Sequence, residues 1–196
     1  SEWNNHSSSL RLLCPGRKAV GYALHPENRT LQPVQRRFLG STRKGEKREN
    51  PMETISEYMS SDHHRCDDLF ATAEEAAASG DWEKIAGELK TFLESMRRHF
   101  AMEEDILFPA IEKHIGMSMG PTQIMRMEHQ QMRQLFDALA QAVEKRDKDD
   151  YLGQTDTLLV LMQQHNLKEE QILYRMADEA LASDAAQMIA HLKSAA

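Results

Sequence analysis

Two short segments of the chain carry the same pattern of residues that can bind a metal ion. The first, HFAMEEDILFP, starts at His99, and the second, HNLKEEQILYR, starts at His165; each reads His-x-x-x-Glu. On a helix, residues four apart lie about 40° from each other around the axis. The side chains of His99 and Glu103 therefore point the same way, as do those of His165 and Glu169. An imidazole and a carboxylate on one helical face are a pair of groups that can bind a metal ion.

The two segments belong to an internal repeat with an offset of 66 residues. The same offset superposes His63 on His129 without a gap, and both histidines lie on apolar helical stripes. Two copies of one helix hairpin, packed face to face, are expected to form two equivalent half-sites across a pseudo-twofold axis. The predicted metal ligands are His63, His99, Glu103, His129, His165 and Glu169.

Four imidazoles and two carboxylates inside an apolar bundle are unfavourable unless they are paired or bind metal. A lone histidine on an apolar face is more often a core residue, and a single His-x-x-x-Glu is more often a surface pair. The register of all six groups across the repeat favours the metal interpretation. Imidazole with carboxylate suits iron or zinc, and manganese is also possible. Because no thiolate belongs to the set, an iron–sulfur cluster is disfavoured.

The residues beside the candidate ligands have more than one interpretation. Glu104 and Glu170 follow the ligating glutamates and are expected to face outward, about 140° from the histidines. Asp62 and Glu128 precede the histidines of the first and third helices. Each could accept a hydrogen bond from the second ring nitrogen of a ligating histidine, or could be a surface charge.

Three other side chains near the predicted site are more simply explained by packing. Cys66 is expected to be a small buried group, with a thiol that senses oxidation as the alternative. Tyr174 and Phe108 could line the pocket, although core packing is sufficient to explain both residues.

The periodicity of apolar residues from residue 52 onward predicts an all-α fold. Gly80 and Asp81 are expected to end one helix and begin the next, and Pro109 is expected to kink or end the second. The predicted inward positions include Ile106, Ile124, Ile172 and Met176. Short connections favour an up-down-up-down antiparallel four-helix bundle. The predicted segments are 53–78, 82–114, 121–145, 150–181 and a short C-terminal helix over 184–194.

Charge divides the 196 residues into two parts. Residues 1–51 contain ten Lys/Arg and four Asp/Glu, whereas residues 52–196 contain fourteen and twenty-seven, a net charge of −13. We expect residues 1–51 to be a basic, disordered or non-native leader, with binding of an acidic partner or nucleic acid as the alternative. Residues 52–196 are expected to form the folded domain.

The composition also restricts location and partners. The chain has a formal net charge of −7, which disfavours nucleic acid as a partner of the whole protein. No run of apolar residues is long enough for a membrane span. The two cysteines, Cys14 and Cys66, do not resemble a disulfide framework, so we expect a cytoplasmic protein. Protein partners are not indicated by the sequence.

The candidate ligands occur in the order His…His-x-x-x-Glu…His…His-x-x-x-Glu. The first and third helices contain DH and EH, and LFP follows the glutamate of the second helix. This pattern resembles the hemerythrin-like HHE cation-binding family over about residues 53–180. The resemblance implies a non-haem di-iron centre with carboxylate and oxo or hydroxo bridges. Oxygen-carrying hemerythrins have a fifth histidine one turn after the third-helix histidine, where this chain has Arg133. The chain is therefore similar to the branch with four histidines and two glutamates.

This resemblance predicts a protein that binds or senses dioxygen, nitric oxide or peroxide at two irons. A first alternative is a di-iron enzyme of stress defence that turns over peroxide or nitric oxide, or donates iron for iron–sulfur repair. A second alternative is a redox- or iron-sensing interaction module. A third is a structural bundle with incidental histidines, which would bind no metal.

Overall fold

The computed structural model describes residues 53–116 and 120–195. Every regular element in these two ranges is helical, which confirms the all-α prediction; the leader predicted for residues 1–51 lies outside them. Among the described residues, no helix is long and apolar enough to cross a membrane. The α-helices are α1 (Ile55–Ser79), α2 (Trp82–Ala101), α3 (Phe108–Ile115), α4 (Pro121–Lys145), α5 (Lys148–Lys168), α6 (Tyr174–Ala180) and α7 (Ala185–Ala195).

The helix ends follow from local chemistry. Thr54 and Glu57 form a capping box at the start of α1, in which each side chain accepts a hydrogen bond from the other's backbone N–H. Gly80 ends α1 with a φ of 70°, a left-handed conformation that favours glycine. The side chain of Asp81 then caps α2. Both predictions for this turn, at Gly80 and Asp81, are confirmed.

Helix α1 packs against α2, and α4 packs against α5. Residue numbers increase along α1 while those of the contacting residues decrease along α2. Asp62 contacts His99, and Phe70, two turns later in α1, contacts Phe92, two turns earlier in α2. These two helices therefore form an antiparallel hairpin. The course of all four long helices in up-down-up-down order stays a prediction.

Two π-helical segments interrupt the long helices at the same place in the repeat. Met102–Leu107 joins α2 to α3, and Glu169–Leu173 joins α5 to α6. A π turn inserts one extra residue, so all later residues rotate to a different face. Neither segment was predicted. The helix continues through Pro109, which lies in the first turn of α3, so Pro109 does not end it. The irregularity near this proline is the π segment that directly precedes α3.

The π segments explain why two predicted inward faces are wrong. Ile172 is 55% exposed, and Met176 is only partly buried. Leu173, Tyr174 and Ala177 take the inward positions instead, one residue later along the chain. The first copy shows the same shift, since Ile106 is half-buried and its inward-facing neighbours are Leu107, Phe108 and Ile111.

One predicted inward residue of α4 is also exposed. Ile124 is 53% exposed, whereas its neighbour Met125 is buried. Adjacent residues on a helix lie about 100° apart, and in α4 this rotation directs Met125 to the core and Ile124 to solvent. Further along α4, Met132, Phe136 and Leu139 are buried.

Two apolar clusters lie on either side of the four histidines. The cluster toward the α1–α2 turn contains Phe70, Phe92 and Phe136, and the other contains Met59, Met102 and Phe108. Each histidine lies between a residue of one cluster and a residue of the other along its own helix. The candidate site is therefore enclosed by apolar side chains at both ends of the bundle.

Replacement of Phe92 by alanine is expected to lower the free energy of unfolding by about 3–5 kcal/mol, because the ring is fully buried and its loss leaves a cavity. Urea unfolding of the metal-free protein, followed by circular dichroism, measures this change. Val160→Ala is the control, since Val160 is 53% exposed and its loss should change stability by less than about 0.5 kcal/mol. Equal effects of the two substitutions would contradict the assigned core.

Candidate metal centre

The structure brings all six predicted ligands together between the four long helices. All six side chains are buried. The ring nitrogens Nε2 face the two carboxylates: His63 Nε2 lies 3.2 Å from Glu169, and His129 Nε2 lies 3.2 Å from Glu103. His99 and His165 approach the glutamates of their own helices at 3.5 Å and 3.2 Å.

The six side chains form two groups of four that could each hold a metal ion. One group contains His63 and His99, the other contains His129 and His165, and both contain Glu103 and Glu169. Glu169 directs one carboxylate oxygen toward His63 and the other toward His165. A carboxylate in this position can bridge two cations, so the geometry matches two neighbouring metal positions that share both carboxylates.

Every histidine of the site also contacts a carboxylate through its other ring nitrogen, Nδ1. His99 donates to Asp62 at 2.9 Å, and His165 donates to Glu128 at 2.9 Å. These two contacts are equivalent under the 66-residue repeat. They settle the interpretation left open for Asp62 and Glu128, whose carboxylates orient imidazoles of the neighbouring helix.

The other two histidines use the glutamates that were expected to face outward. His63 Nδ1 donates to Glu170 at 2.9 Å, and His129 Nδ1 donates to Glu104 at 2.7 Å. The expectation for Glu104 and Glu170 is wrong because they lie in the π segments, where the helix is wider and turns less per residue. The paired glutamates in both repeat copies were a sequence signal that could have identified them.

Basic side chains neutralise three of these four outer carboxylates. Arg65 contacts Asp62 at 2.7 Å, and Lys168 contacts Glu128. Arg133 donates two hydrogen bonds of 2.9 Å to Glu104. Arg133 therefore orients the carboxylate that holds His129, at the position where oxygen carriers have a fifth histidine.

The charges inside the site are strongly coupled. Burial lowers the pKa of His63, but hydrogen bonds to Glu169 and Glu170 outweigh this effect and raise it to about 10. Burial likewise lowers the pKa of His129, and Glu103 with Glu104 raises it to about 9. Protons on these imidazoles thus balance the buried carboxylates when metal is absent.

One further side chain reaches the centre. The Tyr174 hydroxyl is fully buried and lies 2.7 Å from Glu103, 3.1 Å from Glu169 and 3.0 Å from His63 Nε2. Burial, followed by the charges of Glu103 and Glu169, raises the pKa of Tyr174 well above its ordinary value. Sequence reasoning placed Tyr174 among pocket-lining candidates but did not identify this contact.

Cys66 behaves as the packing interpretation predicts. Its thiol is buried and lies 3.3 Å from the Ser95 hydroxyl. Burial raises the pKa of Cys66 to about 11, which disfavours the reactive thiolate.

A model of the family described as "Hemerythrin HHE cation binding domain" matches residues 54–177, which include all six candidate ligands. The chain belongs to the hemerythrin HHE cation-binding family. No solved structure matches the chain.

The hemerythrin HHE chain also resembles curated proteins named iron-sulfur cluster repair protein YtfE. The relatives from Yersinia pestis (strain Pestoides F) and Yersinia pseudotuberculosis serotype O:1b (strain IP 31758) are each 36% identical over 61 residues. The alignment covers 31% of this chain and 28% of each relative. The chain therefore aligns with less than a third of those proteins.

The buried atoms of this hemerythrin HHE site fit bound cations. His99 Nε2, Glu103 Oε2 and Glu169 Oε1 are buried, and none makes a hydrogen bond among the described residues. The nearest contacts of the two oxygens are 3.2 Å ion pairs with Nε2 of His129 and His165. Buried polar atoms without partners are unfavourable, and all three face the centre of the site. One metal ion in each group of four donors would give each of these atoms a partner.

Replacement of Glu170 by glutamine is expected to weaken metal binding roughly 10–100-fold, because Glu170 orients the His63 imidazole. A competition titration with a chelator measures the affinity. Glu94→Gln is the control, since Glu94 lies on the exposed side of α2 and makes only a weak 3.8 Å contact with Lys90. A similar affinity of Glu170→Gln and the unmodified protein would show that Glu170 does not support a ligand.

Metal binding at about neutral pH is expected to release protons, because the raised pKa values of His63 and His129 keep both imidazoles protonated in the metal-free protein. The apparent affinity should therefore increase as the pH rises toward about 9. Isothermal titration with zinc in two buffers of different ionisation enthalpy measures the release. Identical heats in both buffers would contradict it.

Proposed function

We propose that this protein is a non-haem di-iron protein that binds or senses a small ligand such as dioxygen, nitric oxide or peroxide. The observation that carries the proposal is the pair of four-residue groups, each with two imidazoles, that share Glu103 and Glu169. In this proposal the six side chains are the metal ligands. They are held in a four-helix bundle with up-down-up-down order, as the short connections between the helices predict.

The donor set supports iron as the bound metal. Nitrogen and carboxylate donors without a thiolate suit iron, and the same groups would also accept zinc or manganese. Reduced iron with open coordination positions supplies the capacity to bind diatomic ligands and peroxide. The protein contributes the four orienting carboxylates, which hold the imidazoles, and a shell of apolar side chains, which excludes water.

The dimensions of the site favour a small ligand. All six proposed ligands lie in the interior with no more than 3% exposure. Phe100 stacks on the His129 ring with the ring centres 3.9 Å apart, and Phe108 lies on the same ring at 5.9 Å. Enclosure in the interior by aromatic rings favours a diatomic molecule or a peroxide over a larger substrate.

A role in stress defence is the second candidate, favoured by the relatives named iron-sulfur cluster repair protein YtfE. In that role the protein would turn over peroxide or nitric oxide, or donate iron to damaged clusters. Sensing is a further alternative, in which loss of metal loosens the bundle. A large drop in unfolding temperature on metal removal would favour sensing, because metal binding is coupled to folding.

The proposal is tested by anaerobic reconstitution with ferrous iron, followed by titration with nitric oxide, dioxygen and peroxide. We expect about two irons per chain, one for each group of donors, and an optical change that saturates with each ligand bound. His99→Ala is expected to lose most of the iron, because His99 belongs to one donor group. His64→Ala is the matched control, since His64 is exposed beside His63.

The outcomes separate the candidate functions. Iron loading without any spectral change on addition of the three ligands would contradict small-ligand binding. Continued consumption of peroxide or nitric oxide beyond the iron equivalents would favour an enzyme. Transfer of iron to an apo iron–sulfur protein would favour the repair role.

A further inference from the structure

The twofold symmetry of the site is broken at one position that touches the centre. The 66-residue offset relates Phe108 to Tyr174, and both follow a π segment directly. Both side chains are fully buried. Phe108 presents an apolar ring to His129, whereas Tyr174 presents a hydroxyl to His63. The two metal positions therefore have different surroundings although their histidines and carboxylates are equivalent.

The hydroxyl of Tyr174 lies at the distances expected for a neighbouring metal ligand. Donor atoms about 2.1 Å from one octahedral metal are about 3 Å apart when they are at right angles. The Tyr174 oxygen lies 3.0 Å from His63 Nε2, 3.1 Å from Glu169 Oε2 and 2.7 Å from Glu103 Oε1. His63 Nε2 and Glu169 Oε2 are themselves 3.2 Å apart. The Tyr174 oxygen, His63 Nε2 and Glu169 Oε2 are therefore spaced like the three donors of one octahedral face.

We propose that Tyr174 is a seventh protein ligand, whose phenolic oxygen binds the ferric ion held by His63 and His99. The inference rests on the proposed di-iron function. Phenolate is an established protein ligand of ferric iron. On coordination the oxygen forms a bond to the metal, the O–H bond breaks, and the proton is released to solvent, so the metal charge replaces the proton. No electron is transferred in this step.

This assignment distinguishes the two metal positions by function. Tyr174 fills a coordination position at the metal of His63 and His99. Phe108 offers no donor atom at the equivalent position beside His129 and His165. An incoming small ligand therefore binds at the metal of His129 and His165, on the side of Phe108.

Visible absorption and resonance Raman spectra of the diferric full-length protein test the assignment. We expect a visible phenolate-to-iron charge-transfer band, and excitation into it should enhance tyrosine ring vibrations that shift when ring-deuterated tyrosine is incorporated. Tyr174→Phe should lose the band while it retains iron. Tyr58→Phe is the matched control and should keep the band, because within residues 53–116 and 120–195 the Tyr58 hydroxyl hydrogen-bonds only to the Met102 sulfur, at 3.8 Å.

Each outcome decides the proposal. Iron loading with near-ultraviolet absorption of a bridged diferric centre, but without a phenolate band, would overturn the role of Tyr174 and leave the di-iron function intact. Failure to load iron would overturn both. If Tyr174→Phe does not load iron, the isotope shift in the unmodified protein decides the question. A shift of the enhanced ring vibrations that is also present in the Tyr58→Phe protein supports the assignment. The absence of a shift overturns the assignment.

Discussion

The burial of two carboxylates among four imidazoles is the constraint on which the rest of this bundle depends. Charged groups removed from water require compensation by opposite charge or by metal. Glu103 and Glu169 have no access to solvent, and each is flanked by imidazole nitrogens. In the metal-free protein, protonated imidazoles supply the positive charge that compensates the two carboxylates. In the metal-bound protein we propose that two cations replace those protons.

The residues around this charge cluster also balance charge, each group by a partner farther from the centre. Four carboxylates hold the outer nitrogens of the imidazoles, and three of them contact a basic side chain nearer the surface, as Glu104 contacts Arg133. Apolar clusters on both sides prevent water from solvating the charges. The π turns are part of this arrangement, because they allow Glu103 to face the centre and its neighbour Glu104 to reach His129 from the next position.

The helices and the six central residues were accessible from the sequence because each rests on a local periodicity. His99 and Glu103 are four residues apart, and the 66-residue repeat then identified His63 with His129. The π turns were not accessible, since their hydrogen bonding has no simple compositional signal and depends on packing between the hairpins. The inward positions of the helical turns directly after each π segment were consequently predicted one residue early, as Ile172 and Leu173 show.

The contact of Tyr174 with the centre depends on the same shift in register. A uniform α-helix predicts Ile172 and Met176 on the inner face, and only the inserted residue turns the Tyr174 hydroxyl toward Glu103. The repeat alone could show that position 174 differs from position 108 in having a hydroxyl. The direction of that hydroxyl required the three-dimensional structure.

Anomalous diffraction at the iron edge from crystals of the reconstituted protein would show whether these six side chains hold two irons. We expect two peaks per chain, one beside His63 and His99 and the other beside His129 and His165, with Glu103 and Glu169 between them. A single peak, or iron bound elsewhere on the chain, would contradict this expectation.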